Sequence, residues 1–308
     1  MTDRLRLGTR TSRLALWQAE HVADALRAAW PGLDVVLVPF VTKGDRTLDQ
    51  PLPEIGGKGL FTLELERDLL DGAIDLAVHS LKDLPTADPD GLALGATTAR
   101  ADARDAWICP DGHSLADLPD GATVGTSSLR RGAQLLRVRP DLVIQSIRGN
   151  VETRIRKISG DDYDAGVLAQ AGLDRLGLAD AAHSTMDLDT MLPAPGQAAL
   201  GIQVRADGEA ARLVAALDDP ATRAAVTAER AFLSGLGGGC SAPIAALGTV
   251  DGDRLALRTR VVSVDGARTV ETRSDGPFDP AAALASGADL GRRAAQAALA
   301  DGAAALLP

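Results

Sequence analysis

The feature that most constrains this chain is the alternation of short apolar strand patterns with helical ones through its first two hundred residues. Residues 5–8 read as a strand, and Ser12 stands where it caps a helix striped by Leu14, Trp17, Val22, Ala25, Leu26 and Ala29. Residues 35–41 form an uncharged, mostly β-branched run, the pattern of a parallel strand buried on both faces, although Pro39 points to a bend or an edge. A helical period at 60–70 precedes a strand at 74–78. Val124 closes a further strand, and strands at 142–147 and 165–168 flank a helix at 151–158. Such alternation predicts an α/β architecture with mostly parallel sheets.

The texture changes after Pro220. A helix pattern at 221–233 runs into the glycines of 235–239, and strand patterns follow at 244–250, 254–264 and 269–273. Asp251-Gly252 and Asp265-Gly266 are the turn signals of antiparallel hairpins. The alanine-rich end, 281–307, reads as a helix packing through Leu284, Leu290 and Leu299. Stretches 96–103 and 192–197, the latter with Pro193, Pro195 and Gly196, read as inter-domain crossings. A length of 308 residues suits two or three domains.

Several function classes fall away. No run approaches the ~18 apolar residues of a membrane span, and residues 1–8 alternate Arg and Leu without the apolar centre of a signal peptide, so a cytoplasmic location is expected. Cys109 and Cys240 are too few for a disulfide framework, and the four histidines lack zinc-like spacing to either, so no metal is expected. Eight aromatic residues and a net charge of −10 argue against a nucleic-acid partner.

That average hides a basic window. Between residues 128 and 157, Arg130, Arg131, Arg137, Arg139, Arg148, Arg154, Arg156 and Lys157 face only Asp141 and Glu152, a local charge of +6 that leaves −16 for the rest. Seven of the eight are arginine, the side chain suited to paired hydrogen bonds with carboxylate or phosphate. A run of this kind is otherwise a solvated helix face.

Four strings carry candidate chemistry. In GTSSLRR at 125–131, hydroxyls and two arginines sit at a strand end and helix start, where free N–H groups favour an anion. Arginines in a first turn oppose the helix dipole, which a bound polyanion would offset; an ordinary Ser/Thr cap is the alternative. In VHSLKDLP at 78–85, polar groups follow a buried strand, the place where open α/β sheets bind ligands. Taken alone, Lys82 and Asp83 read as a surface ion pair and His79 as a satisfied core histidine. GGKGLF at 56–61 lacks the spacing of a nucleotide-binding P-loop and reads as a flexible loop carrying Lys58. GGGCS at 237–241 places Cys240 after three glycines, which permit close approach to a ligand, whereas Cys109 reads as a small core residue. From the residues alone, both a structural and a functional Cys240 stay open.

Together with GTRTSRLALWQ at 8–18, RGNVETR at 148–154 and LAQAGLDRLG at 168–177, these strings resemble, in order and nearly end to end, the porphobilinogen deaminase (hydroxymethylbilane synthase) family. The resemblance implies two periplasmic-binding-protein-like α/β domains plus a small α+β C-terminal domain with an antiparallel sheet. The division expected is 1–98 with 198–217, then 99–197, then 218–308. It implies a transferase of heme and tetrapyrrole biosynthesis that deaminates four porphobilinogen molecules and joins them head to tail. Growth takes place on a dipyrromethane cofactor held by a thioether to Cys240, and hydrolysis releases linear hydroxymethylbilane. Asp83 matches the catalytic carboxylate. Ser80, Lys82, Thr126, Ser128, Arg130 and Arg131 match cofactor-binding positions, and Arg10, Ser12, Lys58, Arg148, Arg154 and Arg175 substrate-binding ones. Cofactor and substrates bring twelve carboxylates to one cleft, which a surplus of fixed cations suits. Glu54 departs from a position often basic in the family and is expected to face solvent. The family expectation is a monomer. The rival reading is a non-catalytic anion-binding module of periplasmic-binding type, which needs no cysteine on a glycine loop.

Overall fold

The computed structural model describes residues 3–41, 62–239 and 242–308. The chain divides into two compact units, one of residues 1–100 and 199–223, the other of residues 101–198 and 224–308.

In the first unit, β1 (Arg4–Arg10) leads through Ser12 into α1 (Arg13–Ala29), and β2 (Asp34–Phe40) returns beside β1. Ser12 caps α1 as its position predicts, its side chain accepting from the Ala15 N–H. Next come α2 (Leu63–Leu70), β3 (Leu76–Ser80) and β4 (Leu92–Thr97), and the chain comes back after the second unit's sheet as β10 (Leu200–Arg205). The strand order is β2-β1-β3-β10-β4. Val22, Leu26, Leu76, Val78 and Ile202 are buried in one apolar cluster of this unit, and Leu65, Leu69 and Ile74 in another.

The second unit repeats that layout. Its strands β5 (Asp105–Ile108), β6 (Thr123–Gly125), β7 (Val143–Gln145), β8 (Ala165–Ala169) and β9 (Ser184–Thr185) lie in the order β7-β6-β8-β5-β9. Helices α3 (Leu129–Val138), α4 (Val151–Ile158) and α5 (Gln170–Leu176) follow β6, β7 and β8. In both sheets the first three strands are parallel, and the inserted strand, β10 or β5, runs antiparallel to its two neighbours. The expectation of mostly parallel sheets is therefore corrected to mixed ones. Strand–helix–strand connections such as β1–α1–β2 make the parallel half, while β5 and β10 enter from chain crossings that carry no helix.

Two further expectations change. β2 is an edge strand, consistent with Pro39, and is half-buried rather than covered on both faces. After α6 (Glu209–Val214) and α7 (Pro220–Gly235), the antiparallel sheet of β11 (Ile244–Asp251), β12 (Arg254–Val262) and β13 (Thr269–Pro277) is followed by α8 (Ala283–Ala300). In α8, Leu290 is buried but Leu284 and Leu299 are exposed. The packed stripe is Ala283, Gly287, Leu290, Gly291, Ala294, Ala295 and Ala298. It meets α7 so closely that a Cβ on Gly291 would lie 2.2 Å from the Ala228 carbonyl oxygen. Small side chains thus set this helix–helix distance.

Candidate active site

In the first unit, the end of β1, the start of α1 and the end of β3 surround a cavity of about 80 Å³. Arg10, Ser12, Ser80 and Asp83, four of the expected residues, line it with Gln18, Thr62 and His79. The grouping follows from topology. β1 and β3 are adjacent parallel strands, so the residues after each emerge at the same sheet edge. Lys82 and Asp83 occupy a 3₁₀ turn, Leu81–Asp83, directly after β3, and Asp83 is exposed.

Two wall residues were not assigned a role from sequence. Gln18, buried in α1, donates from Nε2 to Ser80 Oγ at 2.9 Å. His79 is buried as expected and shares a side-chain hydrogen bond with Gln203, although its Nε2 has no hydrogen-bond partner among the described residues. Burial pushes its pKa down to about 4, with the Arg10 charge acting in the same direction, so the imidazole is neutral near pH 7. Helical spacing placed Gln18 one turn beyond Leu14 and Ala15, but an amide on a mostly apolar face gave no sign of its partner.

In the second unit, Thr126 and Ser128 link β6 to α3. The Thr126 hydroxyl accepts from the Ser128 N–H, while the Ser128 side chain forms no cap bond to α3. The neighbouring Ser127 serves the fold: its hydroxyl donates to the Ile147 carbonyl and accepts from the Ile147 N–H. Arg130 and Arg131 are buried, and both are paired with Asp105 on β5. Arg130 also donates to the Leu192 carbonyl, and Arg131 to that of Val167. The two guanidiniums hold the Asp105 carboxyl well below the usual carboxylate range, outweighing its burial.

Asp105 was missed because an acid beside Arg104, in a polar crossing, carries no mark of burial. Its partners are 25 and 26 positions away.

Arg148 stands in the turn into α4 and Arg154 inside the helix, which Asn150 caps by accepting from the Thr153 N–H. Arg154 Nε donates to the Gly149 carbonyl at 2.8 Å. Gly149 has φ +123°, and a Cβ there would lie 2.7 Å from Thr153 Cγ2, so this turn needs glycine. Arg175 donates to the Ala198 carbonyl, and burial pulls it down to about 10. Arg137 and Arg139 of the basic window likewise bind the chain's own carbonyls, and Arg139 also holds Asp141. Lys58, Glu54 and Cys240 lie outside the described residues, whereas Cys109 is buried in the second unit's core as expected.

The model of the porphobilinogen deaminase dipyromethane cofactor-binding domain matches residues 5–212, and that of the porphobilinogen deaminase C-terminal domain matches 223–300. The chain belongs to the porphobilinogen deaminase family.

Among relatives, the porphobilinogen deaminase of Syntrophotalea carbinolica is 53% identical over 91% of this chain and 89% of that protein. That of Bordetella parapertussis is 51% identical over 99% and 96%. Of solved structures, the methionine-binding protein MetQ aligns with a TM-score of 0.43 and 17% identity, over 69% of this chain and 89% of that one. Membership makes the chain a transferase, a hydroxymethylbilane synthase with a dipyrromethane cofactor, and the non-catalytic alternative is not favoured. The residues fit that group. A dipyrrole bearing carboxylates requires fixed cations, and the buried pair Arg130 and Arg131 outnumbers its one internal counter-charge.

Proposed function

We propose that Asp83 is the catalytic carboxylate, and the observation that carries this reading is its place in one cavity with Arg10, Ser12 and Ser80. Loss of ammonia from the substrate's aminomethyl group leaves a cation delocalised into the pyrrole and its N–H. A fixed carboxylate beside that N–H stabilises the developing charge, the anionic counterpart of an oxyanion hole. Proton transfer is the secondary role of Asp83, because the leaving amine is already largely ammonium near neutrality. Arg10, with the hydroxyls of Ser12 and Ser80, anchors a substrate carboxylate and so fixes the ring against Asp83. The neutral His79 adds no second positive charge to this wall.

When bound, the dipyrromethane supplies the nucleophilic pyrrole carbon to which units are added. Cys240 holds it through a thioether, a bond that survives turnover where an ester would hydrolyse. Lys82, Thr126, Ser128, Arg130 and Arg131 receive its carboxylates, and Lys58, Arg148, Arg154 and Arg175 those of substrate and growing chain. We read residues 99–197 and 218–308 as separate domains; the self-contained three-stranded sheet and the break between the two family models, at 212–223, support this. The protein works as a cytoplasmic monomer without nucleic-acid or membrane partners. No helix among the described residues is long and apolar enough to cross a membrane.

The test is Asp83→Asn, which keeps size and removes charge. Turnover of porphobilinogen falls by roughly 100-fold or more, the scale of losing one electrostatic stabiliser. The covalently held dipyrrole is at least partly retained, as seen by intact mass. Near-normal turnover overturns the assignment.

A further inference from the structure

The arginine pair at the start of α3 carries more charge than its surroundings balance. The side chains of Arg130 and Arg131 are 4% and 7% exposed, and that of Asp105 is fully buried. Asp105 Oδ1 accepts from Arg131 Nη2 at 2.7 Å, from Arg131 Nε at 3.2 Å and from Gln197 Nε2 at 2.9 Å. Its Oδ2 lies 2.8 Å from Arg130 Nη1. Among the described residues, the pair's other side-chain hydrogen bonds go to neutral carbonyls, those of Leu192 and Val167. Arg130 Nε is buried with no hydrogen-bond partner among the described residues. Among the described residues, two cations and one anion leave a formal charge of +1 out of water. Retaining such an excess costs stability, so its presence calls for a reason other than folding.

We propose that Asp105 is a positioning residue that gathers Arg130 and Arg131 on one carboxylate and cancels one of their two charges, so that the pair receives a single pyrrole-borne carboxylate and releases it again. The proposal rests on the reading of Arg130 and Arg131 as carboxylate binders. The dipyrrole's own carboxylates must shift as units are added beyond it, and attraction that is too strong stalls that shift. Asp105 therefore tunes the pair toward exchange rather than retention. Gln197, in the crossing between the two units' sheets, fixes the orientation of the carboxylate by donating to the oxygen that also serves Arg131.

The experiment compares holoenzyme with Asp105→Asn, Arg131→Gln and the double variant, reading KM, kcat and the masses of enzyme-bound chains during turnover. Asp105→Asn raises the excess to +2. Its KM for porphobilinogen falls about threefold to tenfold and kcat falls at least as much, the signature of an over-stabilised bound state. Intact mass shows chain-bearing enzyme accumulating. The double variant restores +1 and returns both KM and the mass distribution toward wild type. An Asp105→Asn protein that is folded with KM unchanged or raised overturns the proposal. So does a double variant no better behaved than Asp105→Asn, including the case where both are insoluble, because Asp105 then serves only the fold. Arg131→Gln separates the two readings. If it leaves KM and dipyrrole content unchanged, the carboxylate-binding role of the pair fails and the proposal with it. If it raises KM while Asp105→Asn does not lower it, only the charge-setting role fails.

Discussion

Gln18 Nε2 donates to Ser80 Oγ across 2.9 Å, joining the second turn of α1 to the last residue of β3. The bond fixes the hydroxyl beside Asp83 and leaves its proton available to a ligand. Gln18→Ala removes the restraint and opens a small void in a buried position. The expected result is a KM rise of several-fold with a smaller change in kcat, and a stability loss of about 1–3 kcal/mol by urea unfolding. An unchanged KM in a folded variant contradicts the role given to this pair.

His79 makes stability depend on pH in a defined window. Its pKa is about 4 in the folded chain against 6.5 for an ordinary histidine, so the unfolded chain binds more protons between those values. Stability is therefore fully present above pH 6.5 and is lost as pH falls toward 4, by up to ~3 kcal/mol from this residue. His79→Gln flattens that part of the urea-midpoint curve between pH 4.5 and 7. A curve of unchanged slope counts against a neutral, buried imidazole.

The α7–α8 contact predicts an unusual pattern of mutational sensitivity. Gly291→Ala places a methyl where only 2.2 Å is open to the Ala228 oxygen, and the helices must separate. A loss of about 1–3 kcal/mol is expected by thermal or urea unfolding. Leu284→Ser and Leu299→Ser, at exposed positions of the same helix, stay within about 0.5 kcal/mol of wild type. The reverse order would restore the leucine stripe read from the sequence.

That contrast shows where the sequence was informative. Local signals carried β1, the Ser12 cap, α4 and the hairpin turns, because period and capping chemistry act over a few neighbouring residues. The cavity around Asp83 was legible in part: VHSLKDLP announced a strand end, and parallel pairing with β1 brought Arg10 and Ser12 to it. Asp105, Gln18 and the antiparallel course of β5 and β10 were not legible. Each depends on a partner far along the chain, and an Asp bound for burial looks in sequence like one bound for solvent. The leucines of α8 misled for a related reason, since size marks a core residue only where the partner helix leaves room for it.

The proposed attachment of the dipyrrole at Cys240 and the deamination of porphobilinogen can be tested together. Intact-mass measurement of the purified protein and its Cys240→Ala and Cys109→Ala variants, before and after addition of porphobilinogen with ammonia quantified, tests both at once. Wild type and Cys109→Ala carry the dipyrrole mass and release four ammonia molecules per hydroxymethylbilane, while Cys240→Ala carries no dipyrrole. A dipyrrole still bound without Cys240, or wild-type protein with neither adduct nor ammonia release, contradicts that reading.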